Sequence, residues 1–255
     1  MQGWHGWDDY APFYDWENAQ TVGRRDLPFW IELARRTEGT VLELGCGTGR
    51  VSLPVAKVSD RFVGIDRSTP MLRRLRARLR RAGLGSRAAA VRGDIRVLPF
   101  RKRVRFPLVM APYGMLQSLL RDRDLRSTLR SVAGVIPRGG LFVVDLVPDL
   151  PKWQEYERKV SLRGRRPGGG RLTLIETVRQ DHDQQMTIFD QEYVERIGRR
   201  RESSRFSIAF RTLTVAQVSR RLERSGFRVD SVLGDYRGRA WSPDADVWLI
   251  VARRG

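Results

Sequence analysis

The chain has 255 residues, 41% of them hydrophobic, which suits one large α/β domain with an insertion. It lacks an apolar run of about 18 residues and does not begin with a basic segment followed by an apolar one, so we expect neither a membrane helix nor a signal peptide. A single cysteine excludes a disulfide framework. With only two histidines beside it, we expect no metal site, and a cytoplasmic protein is the simplest interpretation.

The basic charge has two interpretations. The formal net charge is +19, and only four of the 48 basic residues are lysines, whereas arginines occur in every segment. A solvated basic surface is the plainer interpretation and the one we favour, so nucleic acid is not expected as a partner. An anionic partner, such as RNA or a phosphorylated substrate, is the alternative.

The N-terminal segment, 1–16, is rich in aromatic side chains, namely Trp4, Trp7, Tyr10, Phe13, Tyr14 and Trp16. A helical pattern follows from about Glu17 to Arg36. Pro28 is expected to kink this helix or to split it in two, with Asp26 as the candidate second N-cap.

Strands and helices alternate over residues 40–147. Short apolar runs predict strands at 40–45, 61–66, 87–93, 106–112 and 141–147. The segments between them predict helices at 49–58, 69–83, 115–120 and 122–136. Ser68 or Thr69 is the expected N-cap of the second of these helices, with Pro70 in its first turn. This alternation predicts a parallel sheet with helices on both faces.

A period of two replaces the helical period after Pro148. Alternating segments predict antiparallel strands at 159–163, 172–178, 187–197 and 204–210, with turns at 168–170 and 181–183. Thr214 then caps a helix to about Ser225, and two strands follow, one from 226 and the last over 247–252. We expect three regions: 1–36 as an N-terminal lid and helix, 37–148 with 212–255 as the core, and 149–211 as an antiparallel insertion.

Glycines at every second position follow the first predicted strand, in the pattern Glu43-x-Gly45-x-Gly47-x-Gly49. Glycine lets a backbone turn tightly and approach a ligand where a Cβ would collide. A dinucleotide fingerprint would need a third glycine at Arg50, and a P-loop would need a lysine, so both alternatives fail. The pattern resembles motif I of the class I S-adenosylmethionine-dependent methyltransferases.

Three further motifs strengthen this resemblance in chain order. Asp66 ends the second strand, about 20 residues after the first glycine of the turn. At this spacing an acid accepts hydrogen bonds from ribose hydroxyls. Residues 64–72 look like the family's second motif, Gly93-Asp94 ends the third strand, and the fourth apolar run breaks at Pro112. Taken singly, each acid also has an interpretation as a helix cap or a solvated turn.

The resemblance implies a doubly wound α/β fold, with a seven-stranded, mostly parallel sheet that binds S-adenosylmethionine and a small antiparallel meander inserted in it. It implies that the glycine loop passes beneath the methionine end of the cofactor. It also implies that the acids and apolar side chains after the second and third strands hold the ribose and the adenine. The cofactor-binding residues implied in this way are Glu43, Gly45, Cys46, Gly47, Gly49, Asp66, Arg67, Met71, Asp94, Ile95, Ala111 and Pro112. For Glu43 two interpretations stay open: it orients the loop, or it is a buried acid satisfied by backbone amides.

The segment Tyr10-x-x-x-Tyr14-Asp15 resembles the lid of the family's small-molecule branch. The resemblance implies that both tyrosines contact the cofactor and that Tyr14 lies near the reacting centre as a catalytic residue. Arg24 or Arg25 would reach the methionine carboxylate, since guanidinium pairs well with carboxylate. For the tyrosines, the alternative to a lid is an aromatic helix end that packs on the core.

The end of the fourth strand distinguishes subclasses of the family. Members that methylate exocyclic amines of bases resemble Asn/Asp-Pro-Pro-Tyr here, whereas this chain has Ala111-Pro112-Tyr113-Gly114. Cys46 is also misplaced for methylation of pyrimidine C5, so both features disfavour nucleic-acid bases. The implied acceptor-binding residues are Tyr113, which is also a catalytic candidate, Met115, Gln117 and Arg211. Ordinary helix packing is the alternative for these side chains.

We therefore expect an enzyme that transfers a methyl group from S-adenosylmethionine to an amine or hydroxyl of a small molecule by in-line displacement. The meander resembles the insertion of small-molecule N-methyltransferases, where it covers the acceptor and often mediates dimers, so a monomer or a homodimer is expected. A methyltransferase of an RNA or protein partner is the second hypothesis. A non-catalytic S-adenosylmethionine-binding protein is the third.

Overall fold

The structure, a computed structural model, describes residues 7–21, 23–101, 103–147, 154–166 and 169–255. The chain divides into two compact units. The larger unit contains residues 24–148 and 213–255, and the smaller unit contains residues 1–23 and 149–212. Trp4 of the aromatic segment, Pro148 and Gly168 lie outside the described residues.

The larger unit is built on a seven-stranded sheet. Its strands are β1 (Thr40–Leu44), β2 (Arg61–Asp66), β3 (Ala88–Arg92), β4 (Leu108–Ala111), β5 (Leu141–Leu146), β10 (Phe227–Leu233) and β11 (Trp248–Arg254). The strand order is β10-β11-β5-β4-β1-β2-β3, and only β11 runs against its neighbours. The predicted doubly wound, mostly parallel sheet is therefore confirmed.

Helices cover both faces of this sheet. Leucines and Trp30 from α2 (Leu27–Arg35), α3 (Ser52–Val58) and α4 (Thr69–Arg81) pack in one apolar cluster. Side chains of α5 (Asp122–Val135) and α6 (Val215–Arg224) pack in a second cluster, beside a short 3-10 helix at Met115–Ser118. Apolar side chains of the strands divide between the two clusters because successive residues of a strand point to opposite faces.

Local capping signals in the sequence predict helix starts correctly in this unit. The Ser68 hydroxyl accepts a hydrogen bond from the Met71 amide and caps α4, and Pro70 lies in the first turn. Thr214 and Gln217 form a reciprocal capping box at the start of α6. Asp26 stands at the N-cap position of α2, yet its carboxylate makes no cap bond and pairs with an arginine instead.

The smaller unit combines an antiparallel sheet with one helix. The strands β6 (Tyr156–Arg165), β7 (Arg171–Asp181), β8 (Met186–Ile197) and β9 (Arg200–Arg211) pair in sequence order. Helix α1 (Trp7–Gln20) packs on one face of this sheet, where Phe13 stacks on Tyr193 with ring centroids 4.4 Å apart. Gly164 faces the Trp16 indole on the same side.

The predicted start of the first helix at Glu17 is wrong, because α1 already begins at Trp7 and continues through Pro12. The predicted division of the helical region is confirmed, since α2 begins at Leu27. Tyr10, Phe13 and Trp16 are buried along one side of α1, and Tyr10 and Phe13 both contact the ring of Phe206. This burial overrides the helix-breaking tendency of the proline. Residues 1–36 were expected as one region, but the boundary between the two units falls after Gly23, so α1 and α2 belong to different units.

Candidate active site

The carboxyl ends of the parallel strands of the larger unit define the candidate site. Strands β1 and β4 are neighbours, and the chain runs outward from them to β2 and β3 on one side and to β5 on the other. Open α/β sheets bind ligands in the crevice at such a switch point. The glycine loop follows β1, Asp66 ends β2, and Tyr113 follows β4.

The glycine loop is packed so tightly that a side chain would collide at two of its positions. Gly45 has φ +64°, and a Cβ added there would lie 2.6 Å from the Met115 Cγ. Gly49 has φ +92°, and its Cβ would lie 2.5 Å from the Leu75 Cδ1 on α4. The left-handed backbone and the close packing both require glycine, so the loop presents backbone rather than side chains to a ligand.

Asp66 ties the end of β2 to this loop. Its Oδ2 accepts a hydrogen bond of 2.8 Å from the Gly47 amide, and its Oδ1 accepts one of 2.8 Å from the Ser68 amide. The carboxylate is therefore fixed in orientation beside the loop, and its contact with a ribose stays a prediction. Arg67 is the next residue, and its guanidinium lies 3.4 Å from the Asp94 carboxylate.

Asp94 follows β3 and is held by arginine. The Arg96 guanidinium donates to both Asp94 oxygens and also reaches Asp124 at 3.0 Å. Partial burial opposes ionisation of Asp94, but the hydrogen bonds and charge of Arg96 outweigh it and lower its pKa. Met71 is buried at the start of α4, and Ile95 is partly buried against the apolar core. The adenine-binding roles of these three residues stay predictions.

Glu43 is buried within β1 beneath the loop. It is 3% exposed, and its Oε2 accepts a 2.7 Å hydrogen bond from the hydroxyl of Ser52, the first residue of α3. Burial raises its pKa to about 8. Glu43 is thus a buried acid that joins the strand to the helix beyond the loop, and its described partner is a hydroxyl rather than a backbone amide. Cys46 is buried as well, and burial raises the pKa of its thiol.

The raised pKa of Glu43 predicts a pH-dependent stability. The folded protein retains the proton up to about pH 8, whereas an unfolded glutamate loses it near its usual pKa of 4.5. The stabilising contribution is therefore complete below pH 4.5 and disappears as the pH rises to about 8. We expect Glu43 to lower the free energy of unfolding by about 2–4 kcal/mol between pH 5 and pH 8.

Urea denaturation of the wild type and of Glu43→Gln at both pH values checks this expectation. Glutamine keeps the shape and can accept the Ser52 hydrogen bond but does not titrate. The difference in unfolding free energy between the two proteins should change in favour of the variant as the pH rises. A difference that is equal at pH 5 and pH 8 would show that Glu43 is not the titrating group.

The turn after β4 holds an exposed aromatic ring. Ala111 and Pro112 are buried, whereas Tyr113 is 40% exposed and has φ +62°, an uncommon conformation for a residue with a side chain. The Arg50 guanidinium lies 5.4 Å from the centroid of the Tyr113 ring. Arg50 is itself held by Asp26 through two hydrogen bonds of 2.6 and 2.7 Å. Strained residues of this kind often cluster at functional sites.

Asp145 supports the same turn from β5 and was not among the residues predicted from the sequence. It is 1% exposed, its Oδ1 accepts a 2.8 Å hydrogen bond from the Gly114 amide, and its Oδ2 accepts one of 2.7 Å from the Tyr236 hydroxyl. Burial raises the pKa of Asp145 to about 6. The signal in the sequence was an acid inside an apolar strand, a position that Glu43 shares in β1.

Two predicted acceptor-binding residues pack around this turn. Met115 occupies the space above Gly45, and Gln117 is 1% exposed. The Gln117 side-chain amide donates to the Val147 carbonyl at 3.1 Å and accepts from the Val147 amide at 2.8 Å. Gln117 thereby joins the 3-10 helix to the end of β5, which is the packing alternative for this residue. Contact of Gln117 with an acceptor stays a prediction.

The remaining predicted site residues lie elsewhere in the chain. In the smaller unit, Tyr10 is buried and donates a 2.7 Å hydrogen bond to Glu17, and burial together with the Glu17 charge raises the pKa of the tyrosine. The half-buried Tyr14 packs edge-on against the Tyr10 ring at 5.6 Å. Arg211 lies at the end of β9, and Arg24 is exposed at the first position of the larger unit. Their roles toward a cofactor or acceptor stay predictions.

Comparisons with known proteins agree with this geometry. Residues 41–140 match the family described as a methyltransferase domain. The chain is 25% identical over 243 residues to the cypemycin N-terminal methyltransferase of Streptomyces sp., covering 94% of each protein. Among solved structures, an S-adenosylmethionine-dependent methyltransferase from Clostridium acetobutylicum aligns with a TM-score of 0.81 at 14% identity, covering 97% of this chain and 99% of that one. The glycopeptide N-methyltransferase MtfA with S-adenosylmethionine is 26% identical, with a TM-score of 0.57 and coverage of 91% and 95%.

The glycine loop, the acid after β2 and the seven-stranded sheet define the class I methyltransferase fold. The methyltransferase-domain match over residues 41–140 and the relatives of similar length support a class I S-adenosylmethionine-dependent methyltransferase. Its cofactor is S-adenosylmethionine. Among the helices of the described ranges, none combines the length and apolar character needed to cross a bilayer.

Proposed function

We propose that this enzyme transfers the methyl group of S-adenosylmethionine to an amine nitrogen of a small molecule. The observation that carries the proposal is the exposed Tyr113 on a strained turn at the switch point, next to the glycine loop. The strand end lacks the amide or carboxylate with which base-specific relatives grip an exocyclic amine. The cypemycin relative is named as an N-terminal methyltransferase and MtfA as an N-methyltransferase, and both names support nitrogen over oxygen.

The residues at the strand ends fit the cofactor. The positive φ angles at Gly45, Gly47 and Gly49 leave a loop that a ligand can approach closely. A carboxylate oxygen can accept more than one hydrogen bond, so the Asp66 oxygens that bind backbone amides can also accept a ribose hydroxyl. When bound, S-adenosylmethionine supplies an electrophilic methyl group on its sulfonium.

The protein contributes orientation rather than covalent chemistry in this proposal. An amine must present its lone pair in line with the methyl carbon and the sulfur, and such positioning supplies on the order of 7–11 kcal/mol. The Tyr113 hydroxyl would accept a hydrogen bond from the acceptor N–H and fix that direction. Tyr14 is the second catalytic candidate, on α1 of the smaller unit.

Paired acceptors test the choice of nitrogen. Each pair contains a primary or secondary amine and the alcohol of the same carbon skeleton, drawn from amino sugars and peptides with a free N-terminus. We expect release of S-adenosylhomocysteine with amines only. Faster methylation of the alcohols would overturn the proposal in favour of oxygen, and turnover only with RNA or folded protein would favour the second hypothesis. Cofactor binding without any turnover would favour a non-catalytic protein.

Removal of single hydroxyl groups tests the two tyrosines. We expect Tyr113→Phe and Tyr14→Phe each to lower kcat by about 10- to 100-fold with little change in the KM for S-adenosylmethionine, since a lost hydrogen bond costs about 1–3 kcal/mol and about 1.4 kcal/mol is tenfold in rate. Tyr156→Phe is the matched control, because it removes a hydroxyl that bonds Glu176 in the smaller unit. A Tyr113 variant with the activity of this control would remove that residue from the mechanism.

A further inference from the structure

Four arginines form one row across the smaller unit's sheet. The register places Arg165 opposite Arg171, Arg171 opposite Arg196, and Arg196 opposite Arg201. Each of the four strands thus contributes one arginine at the same level, near the hairpin that joins β8 to β9. All four residues are exposed.

The row lies on the face of the sheet that α1 does not cover. Gly164 faces Trp16 of α1, and Tyr193 stacks on Phe13. Because successive side chains of a strand alternate between the two faces, Arg165, one residue from Gly164, and Arg196, three residues from Tyr193, lie on the other face. Three further exposed arginines lie close to the row, one on the same face two positions along β6 and two at the adjoining hairpin: Arg163, Arg199 and Arg200. Arginines therefore surround one end of the open face.

Acidic side chains do not neutralise the row within the described residues. The two nearby acids are engaged elsewhere, since Glu195 pairs with Arg166 and Glu202 pairs with Arg200. Throughout the described ranges, Arg165, Arg171, Arg196 and Arg201 take part in no ion pair. Like charges directly opposite each other destabilise a sheet, so this row places three repulsive pairs side by side. A multivalent anion lying across the row would relieve that repulsion.

We propose that the arginine row is a docking surface for an acidic α-helix of a protein partner. Neighbouring strands lie about 4.8 Å apart, so the row repeats at nearly the interval at which a helix repeats its turns, about 5.4 Å. Carboxylates three and four positions apart on one helix face would each meet an arginine, and guanidinium pairs well with carboxylate.

Other occupants fit less well. Sites for single-stranded nucleic acid combine positive charge with aromatic side chains on which the bases stack. The neighbouring level of the open face has no aromatic ring and carries Arg163, Thr173, Val194 and Ser203. A second copy of the chain would add a formal charge of +19 to a surface that is already positive. A partner of opposite charge is therefore favoured over both.

Binding of a designed peptide to the full chain tests the proposal. The probe is a fluorescent helical peptide, long enough to cross all four strands, with glutamates at every third and fourth position along one face, and its glutamine counterpart is the reference. Anisotropy in 150 mM salt should show binding of the glutamate peptide only. The variant R165Q/R171Q/R196Q/R201Q should weaken this binding at least 30-fold and, free of the peptide, should raise Tm by about 2–4 °C because the repulsion is removed.

A variant of equal charge separates the row from the overall positive field. R73Q/R101Q/R103Q/R220Q removes four exposed arginines of the larger unit and should weaken binding of the glutamate peptide by less than threefold. Equal weakening by the two variants would overturn the proposal, because net charge alone would then explain the binding. Tighter binding of a 20-base-pair DNA duplex than of the peptide, lost on mutation of the row, would overturn it in favour of nucleic acid.

Discussion

Replacement of Asp66 by alanine is expected to weaken S-adenosylmethionine binding by about 10- to 150-fold in a protein that still folds. Hydrogen bonds to a charged group contribute about 1.5–3 kcal/mol each, and the ribose would lose such an acceptor. The same change removes the ties from Asp66 to the Gly47 and Ser68 amides, so the loop itself becomes less well fixed.

Asparagine at this position is expected to be almost as harmful as alanine. Each carboxylate oxygen of Asp66 accepts a hydrogen bond from a backbone N–H. In either orientation of an asparagine side chain, its NH₂ group would face one of these N–H donors and could not accept the hydrogen bond. Isothermal titration calorimetry with S-adenosylmethionine and S-adenosylhomocysteine measures the affinities. Asp60→Ala is the control, because Asp60 also accepts a hydrogen bond from a backbone amide, that of Gly39, but directly precedes β2 rather than ending it. Unchanged affinity in folded Asp66→Ala would refute the assignment of this acid to the ribose.

Replacement of Asp145 by alanine should lower kcat about 100-fold, whereas Asp145→Asn should stay within about threefold of the wild type. Alanine leaves the Gly114 amide and the Tyr236 hydroxyl without their acceptor, so the turn that carries Tyr113 is released. A displacement of about 1 Å at a reacting centre can cost about 100-fold in rate. Asparagine can keep its oxygen toward Gly114 and its NH₂ toward Tyr236, because a tyrosine hydroxyl also accepts a hydrogen bond.

Steady-state kinetics with both substrates, beside thermal unfolding, distinguishes positioning from simple loss of stability. Each group left buried without a partner costs about 1–3 kcal/mol, so Asp145→Ala should also unfold at lower temperature. Tyr236→Phe keeps the tie to Gly114 and should lower Tm with little effect on kcat. If Tyr236→Phe and Asp145→Ala lost activity equally, stability rather than the Tyr113 turn would explain the effect. The prediction rests on the proposed role of Tyr113 beside the acceptor.

Local signals in the sequence predicted the glycine loop, the acid beside it and the helix caps. A strand followed by alternating glycines has few other physical interpretations, because only glycine readily adopts the positive φ angles found at Gly45 and Gly49. Asp66 could be placed beside this loop because parallel strands end at one edge of a sheet. The Ser68 and Thr214 caps were predictable for a similar reason, since each bonds an amide only three positions away.

Pairings between distant segments could not be predicted in this way. Asp26 is a residue type that commonly caps helices, but its carboxylate binds Arg50, which follows the first strand in the sequence. With 48 basic residues in the sequence, no spacing rule selects one partner for one acid. The extent of α1 was missed because the burial that stabilises it against Tyr193 comes from a strand in the distant C-terminal half of the chain, whereas the local pattern contains a proline.

The packing of Met115 over Gly45 has a thermodynamic consequence for the two substrates. The glycine loop and the segment after Tyr113 share this contact without an intervening gap, so a ligand that shifts the loop also shifts Met115. With the cofactor on the glycine loop and the acceptor beside Met115, as proposed, the two are not independent ligands. By reciprocity, whatever factor the first applies to the affinity of the second, the second applies to the first, and the order in which they are added cannot change the affinity of the ternary complex.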